Sequence, residues 1–110
     1  MANHPINIEG IDRNGLLILS DKGKTNVDPG DTVTWNIHPR SGVSAITDIL
    51  RSDGVDVFSE GPSRVGNSNN WRGTIDPNIP RNSEEKYDIH FVRNGSNTVE
   101  IHDPKIVVNP

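Results

Sequence analysis

The chain has 110 residues, no cysteine and a formal net charge of −4, a length that fits one domain burying roughly 65% of its unfolded surface without covalent staples. The missing thiols exclude disulfides, zinc–thiolate sites, iron–sulfur clusters and cysteine nucleophiles. The basic residues are scattered singly from Arg13 to Lys105, so no stripe exists to neutralise several phosphates and nucleic acid is not expected as a main partner.

The opening residues Met1-Ala2-Asn3-His4-Pro5-Ile6-Asn7 show no charged segment followed by an apolar one, so no signal peptide is read there. The longest apolar run, Leu16 to Leu19, is far short of the roughly 20 residues a membrane span needs. A soluble cytoplasmic protein without a membrane partner is the expectation.

Turn-forming residues recur every 8–12 residues or so between short apolar segments, the spacing of a sandwich or barrel of short strands. Ile6 and Ile8 alternate in a first strand. Leu16 to Ser20 is apolar on both faces and reads as a central strand. Asp21-Lys22-Gly23-Lys24 is a polar turn. After Asp28-Pro29-Gly30-Asp31, residues Thr32 to His38 alternate strictly, with Val33, Trp35 and Ile37 on one face and Thr32, Thr34 and Asn36 on the other. Such a strand is half buried in a sheet with one wet face. Val43 to Leu50 also fits one helical turn, but its β-branched Val43, Ile46, Thr47 and Ile49 favour strand. Ser52-Asp53-Gly54 reads as a turn and Val55 to Phe58 as a short strand.

Ser59 to Asn70 is the longest stretch with no periodicity and reads as irregular. Trp71, Gly73 and Ile75 then alternate inward, Asp76 to Asn82 is a loop, and Lys86 to Arg93 alternates with Tyr87, Ile89 and Phe91 inward. Thr98 to His102 repeats the pattern with Val99 and Ile101 inward. Asp103-Pro104 interrupts it, and Lys105 to Val108 resumes. Arg93-Asn94-Gly95-Ser96 contains an Asn-Gly pair, the usual signal for a two-residue hairpin loop. That loop would set Phe91 opposite Thr98 and Ile89 opposite Glu100, pairing core with solvent residues. Because one slip exchanges the two faces, the pattern predicts a three-residue loop, with Gly95 at positive φ and Ile89 opposite Val99 or Ile101.

Pro29-Gly30-Asp31-Thr32-Val33-Thr34-Trp35, Tyr87-Asp88-Ile89-His90-Phe91 and Lys105-Ile106-Val107-Val108, in that order, resemble strands of the cupredoxin-like family. The resemblance implies an all-β, Greek-key β-sandwich of immunoglobulin-like build with about 7–8 short strands. It does not bring the copper chemistry. A blue-copper centre needs two His and a Cys thiolate, often with an axial Met. The family's first His would fall in Pro39-Arg40-Ser41-Gly42-Val43, which has none, and its remaining ligands in Arg93 to Asn97, which has no Cys, His or Met. No metal and no cofactor are expected.

Other sites were weighed against plain structural roles. His38, His90 and His102 fall on the outward phase of their strands. One register places His102 opposite Asp88 and diagonal to His90, within about 7–8 Å; the other separates His90 from His102 by about 13 Å. A solvated face of mixed charge accounts for all three. Asp48, Asp53, Asp56 and Glu60 surround the Asp53-Gly54 turn, but the six to eight converging oxygens of a calcium site are not implied where turn chemistry explains Asp-Gly.

The stretch Val65 to Arg72 gathers amides, a hydroxyl, a guanidinium and an indole. Asn67, Asn69, Asn70 and Arg72 are therefore the candidate ligand-binding residues, suited to sugar hydroxyls, although Trp71 shares the inward phase of Gly73 and Ile75. No nucleophile elbow, phosphate loop or His-Glu-x-x-His occurs, and Asp12, Glu84-Glu85 and Glu100 would meet other carboxylates only through an accident of folding. The reading is a non-catalytic, metal-free binding or structural module. Its partner is another protein or a second copy, paired through exposed edge strands as a homodimer. The alternative is a carbohydrate-binding domain, calcium-assisted, working through the 66–72 loop.

Overall fold

The computed structural model describes residues 2–110, and they form ten strands and no helix. In chain order these are β1 (Asn3–Ile11), β2 (Leu17–Leu19), β3 (Lys24–Val27), β4 (Thr32–Ile37), β5 (Val43–Gly54), β6 (Phe58–Arg64), β7 (Trp71–Ile75), β8 (Glu84–Arg93), β9 (Glu100–His102) and β10 (Lys105–Val108). They build two sheets that face each other as a sandwich. The first runs β2-β1-β4-β7-β6, and the second runs β3-β10-β8-β5 with β9 also on β8. Both are mixed, because β1 lies parallel to β4 and β3 parallel to β10. Among the described residues no helix is long and apolar enough to cross a membrane.

The alternation read in β4, β7 and β8 places the core. Val33, Trp35, Trp71 and Ile75 of the first sheet face Tyr87, Ile89 and Phe91 of the second, with Ile6, Ile8, Ile46, Ile49, Ile106 and Val108 packed around them. Trp35 is fully buried and crosses between the layers. Its Nε1–H donates to the Tyr87 hydroxyl at 3.2 Å, and its ring meets Tyr87 edge-on at 5.6 Å, the geometry the ring quadrupoles favour.

Several segments depart from the pattern-based expectation, for one shared reason: they have a neighbour on one side only. Leu16 to Ser20 is not central. β2 is an edge strand on β1, so Leu17 and Leu19 are buried while Leu16 and Ile18 stay exposed. Lys24 is no longer turn but the first residue of β3, which sends Thr25 and Val27 inward. Ser52-Asp53-Gly54 extends β5 instead of turning it. The first half of Ser59 to Asn70 is strand, since β6 runs to Arg64. Along β6 only Phe58 is buried and the pairing to β7 is twice interrupted, so no alternation is left to read. The expected strand Val55 to Phe58 is not formed, residues 55–57 linking β5 to β6, and ten strands stand where 7–8 were expected.

The last hairpin also differs. Gly95 does take positive φ, 77°, but six residues separate β8 from β9. Phe91 stands opposite Glu100 and Ile89 opposite His102, so Val99 and Ile101 point outward and are exposed. The cause lies downstream. β9 and β10 keep one register along β8, from Glu100 to Val107, bridged by the Tyr87 N–H donating to the Pro104 carbonyl at 3.1 Å. Ile106 and Val108 are fully buried and fix the inward phase. Counting back by twos from them sends Pro104, His102 and Glu100 inward, against the two apolar residues between.

Candidate functional site

The loop singled out by composition closes on itself. The Val65 N–H donates to the Asn70 carbonyl at 2.8 Å, and the Ser68 hydroxyl donates to the Val65 carbonyl at 2.6 Å. Asn67 and Asn69 are exposed at its tip. Asn70 is committed to the scaffold, its Oδ1 accepting from the Ile37 N–H at the end of β4, 3.3 Å away. Trp71 is buried, so its ring offers no stacking platform. Arg72 lies on the outer side of the first sheet, where its Nε–H donates to Thr34 Oγ1 at 3.4 Å. There it lines a shallow cleft of about 250 Å³ with Glu60, Ser63, Arg64 and Thr74. The three Asn side chains are not part of that lining.

The histidines do not converge. His4 Nε2 is 2.8 Å from Asp31 Oδ2, and His38 Nδ1 accepts from the Arg40 N–H. His90 keeps its outward place opposite Ile101 and Asp48. His102 faces inward instead of outward, so the two lie on opposite faces of the second sheet and neither expected register occurs. Burial lowers the His102 pKa, and its Nδ1 is buried without a hydrogen-bond partner. Asp53 Oδ1 accepts from the Gly54 N–H within β5, and Asp56 Oδ1 accepts from the Phe58 N–H two residues on, an Asx turn at the start of β6. Among the described residues no three His, Asp or Glu side chains gather in a metal-holding group.

One chemically loaded side chain escaped the motif search. Glu85 shares the inward phase of Tyr87, Ile89 and Phe91, and that parity was the available signal. It is 2% exposed and lies where the edge strands β5 and β6 part. Its Oε1 accepts from the Val57 N–H at 3.1 Å; no other donor among the described residues reaches the carboxylate. With Asp56, Arg51, Ile49, Phe58 and Pro62 it lines a cleft of about 190 Å³. Burial pushes its pKa up to about 7; the Asp56 carboxylate adds to the rise, while the Val57 N–H and Arg51 oppose it. The accident of folding thus brings Glu85 to Asp56. Arg51 offsets part of this negative charge but makes no ion pair with either carboxyl group, its Nη1 donating to the Gly54 carbonyl at 2.7 Å.

A second feature lies on the outer face of the second sheet. Ladder pairing aligns Ala45 with Val92, Asp48 with His90 and Ile101, and Leu50 with Asp88. Leu50, Val99 and Ile101 are each about half exposed there, at 47%, 49% and 54%. Exposed Ile101 and Leu50 thereby stand on adjoining outward rows, the first shared with His90 and Asp48 and the second with Asp88. No family model matches the sequence, and no curated protein matches it.

Proposed function

We propose that this chain is a non-catalytic binding module that meets a protein partner on the outer face of its second sheet. The observation that carries the reading is that exposed Ile101 stands opposite His90 and exposed Leu50 opposite Asp88, the neighbouring outward position of β8. Grouped exposed apolar residues rimmed by polar ones mark interaction surfaces; isolated ones do not. The sheet edges favour a face over strand addition. β2 and β3 are only three and four residues long, β5 carries three interruptions of its pairing and β6 two. Short and bulged strands are the devices that keep edges from pairing with other chains. A homodimer, on this reading, forms face to face and not edge to edge. The cupredoxin-like build belongs to the same proposal, supported by β4 and β8 standing inside their sheets with β10 beside β8.

The test is to pan a displayed peptide library against the isotope-labelled protein and map the selected peptides by amide shifts. The expected footprint is Ala45, Asp48, His90, Val92 and Ile101, abolished by Ile101→Asp with the melting temperature kept within a few degrees. Selection of no peptide, or footprints elsewhere, would defeat the proposal. A second reading, carbohydrate binding, is favoured by the polar cleft of Arg64, Arg72, Glu60, Ser63 and Thr74 beside the exposed Asn67 and Asn69. A glycan array without a hit, in calcium and in chelator, would remove it.

A further inference from the structure

The cleft between β5 and β6 lies at the open side of the sandwich and shares Leu50 with the outer face of the second sheet, but its polar groups are its own. Its volume of about 190 Å³ is below the roughly 300–1,000 Å³ of pockets for drug-sized ligands, so it suits one side chain or a small molecule. Glu85 and Asp56 supply two carboxyl groups and Arg51 one guanidinium, which biases the cleft against anions. Arg51 is held by the Gly54 carbonyl and joins none of the ion pairs among the described residues. Glu85 is 98% removed from solvent, and one of its oxygens has no donor within the protein. Its Oε2 is open to the cleft, where a cationic donor would meet an acceptor that little water reaches. Ile49, Leu50, Phe58 and Pro62 form the apolar part of the wall.

We propose that this cleft binds a primary alkylammonium group, with the charge on Glu85 and Asp56 and the methylene stem against Ile49, Phe58 and Pro62. An ammonium is a compact point charge with three rotatable donors, enough to serve Glu85 and Asp56 together. A guanidinium would bring a second planar cation alongside Arg51. Such a group is carried either by a free amine or by a lysine side chain, and the two sources are separable by experiment.

The labelled protein is titrated with n-butylammonium chloride, with n-butanol as the neutral match and with Nα-acetyl-lysine-methylamide. Butylammonium, with its five heavy atoms, is expected to bind with an affinity of ~1 mM. Saturable amide shifts at Gly54, Val57 and Phe58 are expected, with butanol at least ~10-fold weaker. The Glu85 carboxyl midpoint, followed by carbon NMR, should fall by about one pH unit or more as the cation stabilises the charged form. Binding by both amines supports the site and admits a lysine of a partner; binding by butylammonium alone supports it for free amines. Glu85→Gln should weaken binding ~10-fold or more and Asp56→Asn several-fold, each with an otherwise unchanged amide spectrum. Equal binding of butanol, no saturable shift up to ~50 mM where a ~1 mM site is full, or undiminished affinity in Glu85→Gln would each overturn the proposal.

Discussion

Asp31 and Glu85 are both carboxyl groups shut away from solvent, 4% and 2% exposed, and the fold treats them oppositely. Asp31 sits beneath the Pro29-Gly30 turn. Its Oδ1 accepts from the Ala2 N–H at 2.9 Å, and its Oδ2 accepts from the Asp28 N–H at 2.9 Å and lies 2.8 Å from His4 Nε2. Burial alone would raise its pKa, but these three partners outweigh burial and bring it down to about 2. Glu85 has one donor and rises to about 7. Both are shut from solvent, but Asp31 has three donors and a histidine beside it while Glu85 has one donor, a deeper loss of hydration and a carboxylate beside it, so the shifts are opposite. The first carboxylate rivets β1 to the start of β4; the second is left with capacity to bind. The two tryptophans repeat the contrast. Trp35 Nε1 has the Tyr87 hydroxyl, whereas Trp71 Nε1 is buried without a partner.

The largest expected effect is on the satisfied side. Trp35→Ala opens a cavity at the centre of the sandwich and leaves the Tyr87 hydroxyl without its donor, a loss of about 3–5 kcal/mol, a large part of the roughly 5–15 kcal/mol available to a domain. Denaturant unfolding would show it; a melting temperature within a few degrees of the parent would end the claim that Trp35 holds the layers together. Next comes Asp31→Ala, which removes the acceptor from Ala2, Asp28 and His4 at once and should cost about 2–3 kcal/mol. Asp31→Asn keeps one acceptor oxygen and should cost less. Equal losses would mean that the carboxylate charge, not the number of donors, secures the turn.

How far the sequence discloses this contrast follows from what each residue needs. Trp35 and Tyr87 were legible because each sits on a strand with a neighbour on both sides, where alternation is enforced by burial of one face. Asp31 was visible as part of a Pro-Gly turn, but its role depends on β1 lying parallel beside β4, a long-range pairing no local pattern contains. Glu85 could be placed inward by parity, since it keeps phase with Tyr87, Ile89 and Phe91. Its partner Asp56 arrives through the link after β5, whose length was misread because Ser52-Asp53-Gly54 looks like a turn. Val99 and Ile101 misled for the converse reason. Their alternation was real, yet the phase was set by Ile106 and Val108 across Asp103-Pro104, and the exposed face they form carries the proposed binding surface. At the loop, Asn67, Asn69, Asn70 and Arg72 were legible as polar groups but not as a convergent set, because Asn70 is claimed by Ile37.

The Glu85 side of the contrast is sharpened by pH. Its folded pKa, about 7, lies above the ordinary 4.5, so the folded state binds the proton more tightly. Its contribution is full below pH 4.5 and is lost as pH rises through 7. Asp31 runs the other way: its contribution is full above the ordinary 3.8 and is lost as pH falls toward 2. His102, held below its ordinary 6.5, also disfavours the folded state as pH falls, which offsets part of the Glu85 slope in the parent. Glu85→Gln separates them. At pH 8 it should stabilise the protein by about 1–2 kcal/mol once water at the cleft mouth is allowed for, and at pH 4.5 it should change little. A variant equally stable with the parent at both values would mean that Glu85 ionises without penalty, and the contrast with Asp31 would disappear.

The smallest expected effect is at Trp71. Trp71→Phe deletes an N–H that has no acceptor and keeps an aromatic ring at the same place beneath β6. The lost contact area costs something, and removal of an unpaired buried donor returns something, so the net change should stay under about 1 kcal/mol in denaturant unfolding. The same exchange at Trp35 should cost more, because there the N–H has the Tyr87 hydroxyl to lose. A reversed order, with Trp71→Phe the more damaging, would mean that the Trp71 N–H is satisfied by a buried water. The division between satisfied and unsatisfied buried groups would then narrow to the two carboxylates alone.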